Sequence, residues 1–459
     1  FSRLNYSYKD KYLLMGSIRR DGSSKFAPDN RWGIFPAISG GWRISKEPFM
    51  ENSTWIDELK LRASYGVSGN DQFGNYAWQG KVSYGNLYTY GDPDSGGSGT
   101  GKALIPSSIE NRNLKWEVNE QFDFGTDISI FGERINLSAD YFIRKTKDML
   151  LYRSLPLENG ITSSLFDNIG NMVNKGIELS LNTVNLTSEN FTWTTNINFT
   201  KINNKVGDVF TSTGEIRYGL GFPGAGTLRI IEGRPMFEIY AWKTIGNYES
   251  EEQLASIPGT NNPRVGDPII EDYKKDNVIN DDDMQPLGKI LPDFTFGFNN
   301  TLRYKNFDLN IMVNGSQGNS QVMVGARQAG LMRCQENTLQ LFYDNRYGHG
   351  DELDLAFPTS GYSGPRHSNV SYFIFDASFI RIKNLVLGYS IPENISSKIS
   401  ISGARVTLGV QNLHTFTKYP FYNPESNSTG GAAGTAQFGN DLGTYPLART
   451  YTIGLDINF

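Results

Sequence analysis

Cysteine is nearly absent from this 459-residue chain: Cys334 stands alone, so no intrachain disulfide can form, and nothing beside it suggests a nucleophile. Histidine is almost as scarce. His349, His367 and His414 are scattered without ligand spacing and offer no imidazole-based metal site. A basic excess is also missing, because 43 Lys+Arg are outnumbered by 48 Asp+Glu, leaving no surplus to neutralise nucleic-acid phosphates. No run of 18 apolar residues exists, which excludes a membrane-spanning helix. The opening FSRLNYSYKD lacks the basic and apolar regions of a signal peptide and already reads as a strand. The glycines of GGSGTGKA (96–103) lack phosphate-loop spacing, and no carboxylate pair stands in an acid/base setting, so no enzyme is expected.

What the chain does have is aromatic residues, at 13% of the sequence, together with 49 Gly. Both favour strands and turns over helices. Apolar and polar residues alternate along long stretches. In LKWEVNEQFDFGTDISIF, Leu114, Trp116, Val118, Phe122, Phe124, Ile128 and Ile130 share one face, opposite Lys115, Glu117, Gln121, Asp123 and Asp127. INLSADYFI, FTWTTNINFTK, FTFGFNNTLRY and the final YTIGLDINF behave likewise. Several stretches reach the ~9–11 residues that a tilted strand needs to cross a bilayer. A membrane barrel alternates lipid-facing and lumen-facing residues, so its averaged hydropathy looks polar.

Tight turns near 8–12, 131–135, 185–191 and 304–307 alternate with long polar stretches at about 69–113, 151–172, 207–292, 318–372 and 416–444. Short turns at one end and long loops at the other is the outer-membrane pattern. The expected fold is therefore all-β, a transmembrane antiparallel barrel with long extracellular loops over residues 1–459. About thirteen strands are expected, and 226–248 has room for a further hairpin. An odd count and a first strand running into a short turn predict the C-terminal part of a larger barrel. A secreted or surface carbohydrate-binding or adhesive β protein, and a plugless porin, are the competing readings.

The segment YKDKYLLMGSIRRDGSSKFAPDNRWGIFPAISGGWRIS (8–45) resembles SusC/RagA-like TonB-dependent outer-membrane transporters. So do LKLRASYGVSGND (59–71), NIGNMVNKGIELSLN (168–182), DASFIRIKNLVLGYSIP (376–392) and GVQNLHTFTKYPFYNPE (409–425). The resemblance implies a barrel of about 22 strands, of which the chain supplies the last thirteen or so, with the plug absent. It also implies import of a bulky oligosaccharide, glycan or peptide, a SusD-like surface lipoprotein as partner, and drive from TonB through the plug.

Three candidate sites follow. Trp78, Tyr84, Tyr88 and Tyr90 in an external loop offer aromatic faces for sugar rings, or for packing within the loop. DYKKDNVINDDD lays Asp272, Asp276, Val278, Asn280 and Asp283 on the ligand positions of a twelve-residue calcium loop. Lys274 and Asn277 depart from that pattern, and a solvated acidic loop is the alternative. Phe459, a terminal aromatic, resembles the signal by which outer-membrane barrels are recognised for assembly.

Overall fold

The computed structural model describes residues 1–90, 99–153, 165–211, 214–219, 227–259, 263–323, 339–345, 370–396, 401–426, 439–441 and 443–458, with the single positions 337, 347 and 398. Thirteen strands form one antiparallel sheet in sequence order. They are β1 (Ser2–Tyr8), β2 (Tyr12–Gly22), β3 (Trp32–Arg43), β4 (Ile56–Asn70), β5 (Glu117–Ile130), β6 (Ile135–Lys147) and β7 (Met172–Thr187). The series continues with β8 (Phe191–Val206), β9 (Phe294–Tyr304), β10 (Phe307–Gln317), β11 (Phe379–Ile391), β12 (Gly403–Thr417) and β13 (Thr450–Asn458). Among the described residues β1 and β13 have one sheet neighbour each, so the sheet is not closed into a barrel.

Register carries the alternation from strand to strand. Ile38 faces Tyr65, which faces Phe122, while Phe124 faces Tyr141, and that ring faces Ile177. The run continues through Leu181, Ile197, Phe298 and Val313, and again through Leu309, Leu387, Leu408 and Ile453. These side chains form a mainly apolar face, in which Thr195 and Asn300 satisfy each other by a hydrogen bond at 2.8 Å. Ile453 is 80% exposed and Leu408 49% exposed, which in a soluble protein would be a severe liability. A bilayer removes the liability by covering that face.

The periplasmic end is built from short links and local caps. Lys9 and Asp10 turn β1 into β2, with φ values of 52° and 54°. Twelve residues, 44–55, join β3 to β4 through two 3₁₀ turns, and Glu47 accepts hydrogen bonds there from Tyr12 Oη at 2.7 Å and Trp42 Nε1 at 3.0 Å. These bonds favour the ionised form and hold Glu47 below the usual carboxylate range.

Most of the buried apolar side chains sit in the external loops instead of the wall. The stretch 207–292 contains Glu215–Gly219, Thr227–Ile231, Glu238–Ala241 and Gln285–Lys289, which pair as a separate four-stranded sheet. The hairpin anticipated within 226–248 is thus present, but it adds nothing to the thirteen-stranded sheet. Ser320–Met323, Ile374–Asp376 and Asn440–Asp441 form a second small sheet from two other loops. Between them lies a core of Tyr240, Trp242, Ile270, Ile279, Met284, Met323, Val370, Tyr372 and Phe373, each at most 9% exposed. Burial in this core pushes the Tyr372 hydroxyl up to about 12.

Candidate functional site

The lumen face begins with an ionic network on β4, β5 and β6. Arg62 Nε and Nη2 donate to the two carboxylate oxygens of Asp127 at 2.8 and 2.9 Å, and Nη2 also reaches Asp140 at 2.9 Å. Such a paired fork fixes orientation as well as charge. Gly125, opposite Asp140, makes the approach possible: a Cβ there would stand 2.0 Å from Asp140 Oδ1. The device recurs across the sheet. Arg405 Nη2 donates to Asp308 at 2.7 Å, and a Cβ on Gly388 would lie 2.5 Å from both groups.

Arg144 donates to Gln121 at 2.7 Å, and Gln121 donates to Asp123 at 2.7 Å. With Arg62, Asp140, Asn174 and Glu178 they line a recess of about 660 Å³. Further round, the wall changes from charges to amides. Asn196 donates to Asn182, Asn198 donates to Asn196 at 2.9 Å, and Asn310 donates to Thr301 at 3.0 Å. Asn299 Oδ1 and Asn314 Oδ1 are buried and accept no hydrogen bond among the described residues. The arrangement can bind a polar surface filling the lumen, through charges on one side and amides on the other. Gln121, Asp123 and Asp140 fall on the lumen face as alternation requires. Lys115 instead precedes β5 and pairs with Asp148 at 3.0 Å, above the wall.

The loops are tied to the wall by buried polar anchors that sequence reasoning missed. Arg381 on β11, its side chain 4% exposed, donates to Thr415 at 2.9 Å and Asn423 at 3.0 Å and pairs with Glu425. Tyr419 donates to Asp441 at 2.8 Å, and Asp441 in turn accepts from the backbone of Gly443 and Thr444. Burial, and the carboxylate beside it, raise the Tyr419 pKa. Counted from Leu385 and Leu387, alternation would put Arg381 on the outer face; the register shift between Ile382 and Asn384 turns it inward.

The acidic loop is held together by its own backbone. Asp272 accepts from Lys275, Asp276 and Asn277 N–H, Asp276 from Val278, and Asp283 from Lys274 at 3.1 Å and Asn280 at 2.8 Å. Asn280 caps the 3₁₀ turn Asp281–Asp283 in a reciprocal capping box with Asp283. Among the described residues no three His, Cys, Asp or Glu groups gather as a metal cluster, and the carboxylates of this loop are engaged by backbone N–H groups. Asp283 is fully buried; Asp283→Ala is expected to strip two N–H partners and to cost roughly 1–3 kcal/mol locally. Limited proteolysis should then cut the 272–283 segment faster, with or without calcium. Protection gained by the wild type on adding calcium would support the metal reading.

Trp78 is half-buried in a turn, where its carbonyl accepts from Asn111 N–H at 2.8 Å. Tyr84, 72% exposed, stands opposite Leu104 on a hairpin of Lys81–Tyr90 and Gly99–Ser108, beside exposed Val82. Tyr88 and Tyr90 pair with Gly101 and Gly99, but their side chains lie outside the described residues, as do Phe459, Cys334, His349 and His367.

A long-stranded antiparallel sheet with an apolar outer face, a polar inner face and packed external loops defines an outer-membrane β-barrel protein. A family model for "TonB dependent receptor-like, beta-barrel" matches residues 1–413, and the chain belongs to that family. The chain is 34% identical over its whole length to TonB-dependent receptor P3 of Formosa agariphila, covering 45% of that protein. It is 29% identical to TonB-dependent receptor SusC of Bacteroides thetaiotaomicron, covering 43% of it. The solved RagAB peptide transporter superposes on all of the chain with a TM-score of 0.79 and 25% identity, the match covering 46% of that structure's chain. The chain thus spans just under half the length of these relatives. Its place is the outer membrane.

Proposed function

We propose that this chain forms the wall and external loops of a SusC/RagA-type importer that takes up a bulky oligosaccharide or peptide with energy relayed from TonB. The observation that carries the proposal is the superposition on the RagAB peptide transporter along the entire thirteen-stranded sheet. In this reading the Arg62–Asp127–Asp140 network and the amide wall hold the plug at rest, presenting matched polar partners to a domain that must leave and return. Preformed ion pairs within the wall weaken the plug's grip, because each charge already has a partner. A SusD-like surface lipoprotein caps the loops. The exposed face of Val82, Tyr84 and Leu104 supplies an apolar docking patch for it.

Uptake of labelled oligosaccharides and oligopeptides by cells producing the protein, with and without TonB, tests the reading. Uptake of one cargo class that disappears without TonB is expected. Equal uptake in both strains would overturn it and favour a porin.

A further inference from the structure

The outer face is mainly apolar along the middle of the strands, yet at the external ends of three adjacent strands it turns basic. On β6 the outward positions run Tyr141, Ile143, Lys145, Lys147; on β8 they run Phe199, Lys201, Asn203, Lys205. Between them β7 places Lys175 two residues beyond Ile177. Register fixes their grouping. Lys145 and Lys205 both stand opposite Val173, on either side of β7, and Lys175 lies one outward step below. Strands are ~4.8 Å apart, so Lys145 and Lys205 flank a gap of roughly 10 Å with Lys175 at its foot.

All five lysines are exposed. Lys147 pairs with Glu120 at 2.6 Å, whereas Lys145, Lys175, Lys201 and Lys205 make no ion pair among the described residues. The opposite ends of the same strands carry Ile135, Leu137, Trp193 and Phe191 outward, with no lysine. On the neighbouring strands Phe294 faces Lys201 and Val118 faces Lys147, while Glu120, the one outward carboxylate there, stands opposite Lys145 and is engaged by Lys147. The lysines therefore cluster at one level on three adjacent strands, apart from Arg20 on β2, which stacks on Trp32.

We propose that Lys145, Lys175 and Lys205 form a binding site for the phosphate group of an outer-leaflet glycolipid. A lysine pointing sideways at the edge of an apolar band lies at headgroup depth, where its stem covers hydrocarbon and its ammonium reaches the polar layer. Unpaired cations there meet lipid phosphates, which have the charge and spacing to bridge two or three of them. The acyl chains then lie down the face of Ile143, Ile177 and Phe199.

The test uses the protein purified from its outer membrane in neutral detergent, with a phosphorylated, acylated disaccharide as probe and its dephosphorylated form as control. Native mass spectrometry of bound lipid should show the triple variant Lys145→Gln/Lys175→Gln/Lys205→Gln retaining roughly a tenth or less of the probe held by the wild type. The Lys→Arg triple variant should keep binding, which separates loss of charge from loss of fold. Inorganic phosphate should not compete at equal concentration, since it lacks the chains. Equal retention by wild type and the Gln variant, or equal retention of the dephosphorylated lipid, would overturn the proposal. Neither result bears on whether the barrel imports cargo through TonB.

Discussion

Ile197→Arg in β8 is expected to destabilise the barrel by ~2–4 kcal/mol, whereas Asn198→Arg one residue away should be nearly neutral. Ile197 faces Leu181 on one side and Phe298 on the other, in the middle of the apolar outer face, where a guanidinium would sit in hydrocarbon. Asn198 faces Ser180 and Gly297 on the lumen side and is exposed, so an arginine there meets water. Urea unfolding of the two variants in lipid vesicles, followed by the heat-dependent gel shift, measures the difference. A similar loss for both would mean that the two faces are not lipid and lumen.

Arg381→Leu is expected to have the second large effect, confined to the loops. The leucine keeps some contact with Phe379, whose ring lies 4.8 Å beneath the guanidinium, but loses every polar anchor to the 415–425 segment. One hydrogen bond to a charged partner contributes about 1.5–3 kcal/mol, and Arg381 makes such a bond with Glu425 besides bonds to neutral groups. Glu425 is 44% exposed on its side chain and can rehydrate, which keeps the loss toward that range. Limited proteolysis should release the 417–426 segment while the gel shift of the barrel stays unchanged. If the barrel shift also collapses, Arg381 supports the wall and not the loop.

The wall was legible in the sequence and the loops were not, for a physical reason. A membrane strand is long and its two solvents differ sharply, so Phe122, Phe124 and Ile128 announce their face through period alone. That period predicts about thirteen strands, and thirteen form the main sheet among the described residues. Strand β11 begins at Phe379, because Ile374–Asp376 pairs instead with Ser320–Val322. Apart from the hairpin of Lys81–Tyr90 and Gly99–Ser108, the described loop elements are two to six residues long, and several take their shape from distant partners. Trp242 bridges to Val370, and Arg381 finds Glu425 44 residues later, neither of which local pattern can signal. In the acidic loop the spacing suggests ligands, and the carboxylates act as turn and cap acceptors, a role the spacing alone does not announce.

The packed core beneath the external loops sets a rule for how such a receptor can change what it recognises. Trp242 and Met284 come from one loop, Met323, Val370 and Phe373 from another, with Phe421 packed against them from a third. These loops share one interior, so a length change or a large-to-small substitution in one opens a void bordered by the others. Single-loop transplants between relatives should therefore mostly fail, while the three exchanged together should carry their shape with them. The unit of inheritance for specificity is the set, and the wall below it is the fixed socket.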